Sequence, residues 1–225
     1  MTQVTAQMVK SLRDRTGAGM MDCKNALVES DGDEEKAIEE IQKKGLAKVA
    51  KKAGAIAAEG LVHAYIHGGG RVGVLLEVNC QTDFVARNEE FKQFVDELAM
   101  HIASERPEYV TESEIPASEI EHQKVIFIGQ LAEEAKETGK ERPAAAVEKI
   151  VEGKLVKWKQ GVCLLDQLFI MAEDKITIAD VVDQLTAKIG EKISIRRFVR
   201  YERGEGIEKR VENLADAVAA TIADA

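Results

Sequence analysis

The chain has 225 residues, 45% hydrophobic and 32% charged, with a formal net charge of -9. That length allows one large domain or two to three small ones with a real core. The acidic balance argues against long nucleic acid as the main ligand, because such binding is driven by phosphate neutralisation.

Aromatic content of 4%, with abundant Ala, Glu, Lys, Val and Ile, points to a helix-rich protein. Cys23, Cys80 and Cys163 are odd in number and far apart, without a C-x-x-C pair. Reduced thiols in a cytosol are therefore expected, not a disulfide framework. No charged-then-apolar leader opens the sequence, and no apolar run approaches the roughly 18 residues of a membrane span. A soluble, cytoplasmic protein with no membrane partner is expected.

Residues 1 to about 46 predict three short helices. Thr5 caps the first, in which Met8, Val9 and Leu12 recur at helical spacing. Gly17 and Gly19 break it, and Gly17-Ala18-Gly19-Met20-Met21 reads as a bend. Consecutive methionines cannot share one core stripe. They are either absorbed by the small core or, at least one of them, held out for adaptable contacts. Asp22 is the expected start of the second helix, with Cys23, Ala26 and Leu27 inward. Asp33 caps a third, Ala37, Ile38 and Ile41 face in, and Gly45 is its expected end. Lys43, Lys44, Lys48, Lys51 and Lys52 follow along an Ala-rich helical linker, either as a solvated face or as a site for an acidic surface.

From Gly60 the period changes. Leu61–His67 and Arg71–Asn79 flank Gly68-Gly69-Gly70 and read as a β-hairpin. Thr82-Asp83-Phe84-Val85 follows at a strand-to-helix junction. Turns favour Gly, Asn or Ser, so Phe84 is either tucked into the core or presented to a partner. The next helix carries Phe91, Phe94, Val95, Leu98 and Ile102, with Asp83 and Asn88 both acceptable caps. Further helices are expected from about Ala117 to Thr138, from Pro143 to about Trp158, and over Ile176–Ile189. A third strand runs from Ile193 to Tyr201. Gly204 and Gly206 end it before an amphipathic helix striped by Ile207, Val211, Leu214, Val218 and Ile222. The fold class is α+β: a helix-rich chain around a small three-stranded antiparallel sheet, with edges that need covering.

Catalytic signatures are absent from the sequence. No phosphate-binding Gly loop leads into a helix, and no nucleophile or carboxylate pair stands out. His63 and His67 share one strand face and with Cys80 could hold zinc, though the spacing is loose. A metal-dependent enzyme built on those three is the weakest reading.

Val9 to Lys24 (V-K-S-L-R-D-R-T-G-A-G-M-M-D-C-K) and Leu76 to Asn88 (L-E-V-N-C-Q-T-D-F-V-A-R-N) resemble the two signatures of bacterial elongation factor Ts. Ile195 to Lys209 (I-R-R-F-V-R-Y-E-R-G-E-G-I-E-K) resembles its tail. The resemblance spans nearly the whole chain. It implies a ubiquitin-associated-like three-helix domain over residues 1–55, an α+β core over 56–204 and a C-terminal helical module over 205–225. It also implies a non-enzymatic guanine-nucleotide exchange factor acting on elongation factor Tu. Thr82, Asp83, Phe84 and Val85 would form a segment that dislocates the partner's magnesium ion and releases its GDP. Met20, Met21 and Lys24 would touch the same GTPase domain. No cofactor, catalytic residue or metal of its own is implied. Longer members carry two pseudo-symmetric core copies; only one is visible here, which resembles the short members that pair as homodimers. The competing reading is a different helper that binds ubiquitin-like folds or ribosomal surface through Lys43–Lys52.

Overall fold

A computed structural model describes residues 4–139 and 142–207 of the chain. The amphipathic helix expected beyond Ile207 lies outside the described residues. Helix α1 spans Ala6–Thr16, α2 Met20–Glu29 and α3 Glu34–Lys52. Thr5 caps α1 through its side chain, Gly17 ends it in a left-handed conformation, and Asp33 caps α3. The three enclose their own small cluster, built on Val9, Leu12, Cys23, Ala26, Leu27 and Ala37.

Several boundaries differ from expectation: the helix expected to about Trp158 runs to Val162, the one expected from Ile176 starts at Ile178, and two others have a clear local cause. Helix α2 starts at Met20, because Gly19 takes the extended cap position and Asp22 falls inside the first turn. Helix α3 runs through Gly45 to Lys52. A single glycine costs a helix only about 1 kcal/mol, and the Lys, Leu and Ala residues around it are good helix formers.

The hairpin forms as read. Strand β1 spans Glu59–His67 and β2 Val72–Cys80, antiparallel, with Gly68, Gly69 and Gly70 all at positive φ in the turn. Gly60 is required for another reason: a Cβ there would sit 2.1 Å from the Val78 carbonyl oxygen. Strand β3, Ser194–Glu202, pairs antiparallel with β2 around a bulge at Glu77/Val78, giving the order β1-β2-β3.

Between β2 and β3 the chain makes a short helix α4 (Asp83–Ala86), then α5 (Glu89–Glu105), α6 (Ala117–Thr138), α7 (Ala144–Val162) and α8 (Ile178–Ile189). The second and larger core joins one sheet face (Val74, Leu76, Val78, Ile195) to α5 (Phe91, Phe94, Val95, Leu98, Ile102) and α8 (Ile178, Leu185). Helices α6 and α7 pack on each other as an antiparallel pair. No helix among the described residues is long and apolar enough to cross a membrane.

No described residue packs over the opposite sheet face. Val62, Ile66, Leu75, Val199 and Tyr201 are all exposed there. By register, Ala64, Leu75 and Val199 form one row across the three strands, and Ile66, Gly73 and Tyr201 form the next. An antiparallel sheet with one wet face alternates apolar-in with polar-out, and these strands break that alternation.

His101 on α5 is fully buried. Its Nε2 lies 2.9 Å from Gln167 Oε1, and its Nδ1 accepts the Ile170 N–H at 3.4 Å, which puts the proton on Nε2. Gln167 in turn donates its amide to the Gly161 carbonyl at 2.5 Å, reaching α7. Burial holds the imidazole pKa below its ordinary value, outweighing the upward pulls of Gln167 and Glu105. The unfolded chain therefore takes up the proton first. The stabilisation from a neutral His101 is complete above the unfolded-state pKa, about 6.5, and is lost as pH falls toward the folded-state value. Urea unfolding should give a lower midpoint at about pH 5.5 than at about pH 7.5, the range in which histidines titrate. His101→Gln should lower stability and flatten that slope. A wild-type midpoint independent of pH in this window goes against the buried neutral imidazole.

Candidate functional site

The stretch from Cys80 to Asn88 is organised by what each side chain touches. Cys80 is buried and donates its thiol to the Thr82 carbonyl at 3.2 Å; burial pushes its pKa up, so it is an inert structural thiol. Thr82 sits at the cap of α4. Its N–H and hydroxyl are both held by Glu191, at 3.0 and 2.8 Å. Asp83 pairs with Arg87 one helical turn on, at 2.9 Å. Phe84 is 79% exposed, whereas Val85 is 8% exposed and packs into the larger core.

The sequence left Phe84 open between core and surface, and the structure places it outside. Val85, grouped with the tip in the sequence reading, points the other way. Adjacent residues on a helical turn cannot share a face, so Val85 anchors what Phe84 presents. Of the two expected caps only Asn88 is used: its Oδ1 accepts the Glu90 and Phe91 N–H groups at the start of α5, whereas Asp83 is the first residue of α4 and Thr82 takes the extended cap position ahead of it. The apparent ambiguity was two consecutive helices.

Met20 and Met21 are 50% and 64% exposed in the first turn of α2. Lys24 follows them by four and three residues, which puts it over the same helical face. Gly17, Ala18 and Gly19, just ahead of the methionines, line one side of a cleft of about 490 Å³. Phe84, Val85 and Asn88 line the other, with Lys188 of α8 between. The two sequence signatures therefore border one concavity. The three-helix module is held in this relation by Lys188, whose arm lies over Gly17 and whose ammonium pairs with Glu90, and by Lys192 Nζ, which donates to the Ala53 carbonyl at 2.7 Å.

Three of the five lysines of the basic run pair within their own module. Lys43 pairs with Glu40, Lys44 with Glu29 and Lys48 with Asp22, at 3.2, 2.6 and 2.9 Å. Such exposed pairs contribute little stability, and they give Lys43, Lys44 and Lys48 carboxylate partners within the module. The zinc set is pulled apart. His63 faces Asp96 at 3.1 Å, His67 faces the Tyr65 hydroxyl at 2.9 Å, and Cys80 ends the opposite strand across from Glu59. Among the described residues no three His, Cys, Asp or Glu side chains form a ligand set.

Glu191 and Lys192 had no signal in the sequence, and Gln81 stood only as one letter of the Leu76–Asn88 motif. Polar residues after Gly190 read as an ordinary turn, and only the fold brings that turn to the Thr82 loop, where the Lys192 N–H donates to Gln81 Oε1 at 3.0 Å.

Comparison with known proteins places the chain's sequence in a family. The family described as Elongation factor TS covers residues 2–205. The chain is 55% identical to elongation factor Ts of Desulforamulus reducens over 222 residues, 99% of each chain. It is 56% identical to that of Carboxydothermus hydrogenoformans over 219 residues, 97% of this chain and 98% of the other. With agreement of this extent along both lengths, the chain belongs to the elongation factor Ts family.

Proposed function

We propose that this chain is a translation factor of the cytoplasm that binds elongation factor Tu carrying GDP and releases the nucleotide without chemistry of its own. The observation that carries this reading is Phe84, 79% exposed on a turn whose neighbours on both sides are fixed. An exposed aromatic on a rigid base is suited to fill a partner pocket as a binding hot spot. Asp83 and Phe84 act as a wedge beside the partner's nucleotide site. Thr82 and Val85 hold the wedge, and Met20, Met21 and Lys24 of the module at 1–55 engage the same GTPase domain.

No catalytic group, cofactor or nucleic-acid contact is needed for this. Magnesium between phosphates and protein oxygens demands near-ideal octahedral geometry, so a small displacement of its surroundings weakens GDP. Linkage makes the effect reciprocal: what weakens GDP when the factor binds makes GDP weaken the factor equally. The factor stays bound to the empty partner until GTP arrives.

We further propose that the chain works as a homodimer that buries the open sheet face against its copy. The module division at about residues 55 and 205 belongs to the same reading. The direct test follows a fluorescent GDP on elongation factor Tu. A stoichiometric amount of this protein should speed its release, and an unchanged rate sinks the proposal.

A further inference from the structure

Glu191 lies in the turn between α8 and β3, 109 residues beyond the tip it touches. Its Oε2 accepts the Thr82 N–H at 3.0 Å and its Oε1 the Thr82 hydroxyl at 2.8 Å. Thr82 caps α4 with no side-chain bond to the helix; its hydroxyl is committed to Glu191 instead. The next residue works in the same direction. Lys192 gives its backbone N–H to Gln81 and its ammonium to Ala53, just past the end of α3. One turn therefore grips the tip loop on one side and the three-helix module on the other.

Helix α4 has only four residues and cannot hold its shape alone, since a single turn fixes many dihedrals for few hydrogen bonds. A wedge that displaces a partner's groups must not itself deflect. We infer that Glu191 is a positioning residue for exchange. Its carboxylate clamps Thr82 so that Phe84 leaves the surface in one direction, at a fixed angle to the module bearing Met20 and Met21. This rests on the exchange-factor reading above. The ordering cost of the loop is met on folding and not at the encounter with the partner.

The test uses the full chain, elongation factor Tu and fluorescent GDP at saturating factor. Glu191→Ala should slow the stimulated release by about 10-fold, the scale of one hydrogen bond to a charged acceptor. Glu191→Gln should stay within about 3-fold of wild type, because its carbonyl still accepts the Thr82 N–H and its amide can donate to the hydroxyl. In a Phe84→Ala background, Glu191→Ala should add less than about 2-fold, since no wedge remains to position. A wild-type rate for Glu191→Ala overturns the proposal, as does the same loss in both backgrounds, which marks a general structural effect.

Amide hydrogen exchange on the isolated chain gives a readout without the partner. Glu191→Ala should expose the amides of residues 82–84 while those of α5 stay protected. If that variant melts throughout, Glu191→Asp replaces it: one methylene short, it cannot make both bonds, and a wild-type rate from it is equally fatal. Should wild type itself fail to stimulate release, the exchange reading fails, and the amide comparison still decides the clamp.

Discussion

Phe84→Ala is expected to cut the stimulation of GDP release by about 5- to 150-fold, or about 1–3 kcal/mol of coupling, with almost no loss of fold stability. The reason is the split between neighbours. Phe84 is 79% exposed and belongs to neither hydrophobic cluster, while Val85 at 8% is part of the larger one. Truncating an exposed side chain shifts stability by no more than about 0.5 kcal/mol, so the melting temperature should barely move. Stopped-flow release of the labelled nucleotide, with a thermal melt of the same preparation, separates the two quantities. A variant that melts several degrees lower and loses activity in proportion would return Phe84 to a structural role.

The second large effect concerns assembly. Leu75→Lys should convert a dimer to a monomer, seen as a halving of mass in light scattering at about tens of micromolar chain, above the dissociation constant of a stable interface. Leu75 is the centre of a row with Ala64 and Val199, and it is 47% exposed on the face away from the core. Isolated exposed apolar residues need no explanation, but a contiguous patch does. A two-fold interface needs a self-complementary patch. The row supplies apolar area, and Glu77 with Arg196 and Arg197 at its margin supplies both charge signs. A lysine at its centre would be buried unpaired, whereas in the monomer it lies in water at no cost to the fold. Wild type that already scatters as a single chain at this concentration removes the basis for the dimer.

The sequence argument for pairing rested on the single visible core copy and on sheet edges; the open face is a further surface that pairing could cover. The strands could be read from period-two alternation around Gly68-Gly70, but not their outward residues. Val62, Ile66 and Leu75 look like core positions until register and helix placement show which face α5 covers.

Local signals determined much of this protein: helix caps at Thr5, Asp33 and Asn88, the glycine turn, the breaks at Gly17, Gly139 and Gly190, and the apolar stripe of α5. These depend on backbone chemistry within a few residues, which is why they are legible in one dimension. The motifs that carry the family resemblance were legible in the same way. Two boundaries misled, at Asp22 and Gly45, because a capable cap and a glycine each permit an end without enforcing one.

Tertiary structure alone decided the rest. Whether Phe84 faces in or out depends on where Val85 finds its core. The pairing of Lys44 and Lys48 with α2 carboxylates depends on how two helices cross. The grip of Glu191 on Thr82 depends on a sheet that brings together segments 109 residues apart. Period and propensity describe neighbours along the chain. Burial and long-range hydrogen bonds exist only once the chain has closed on itself.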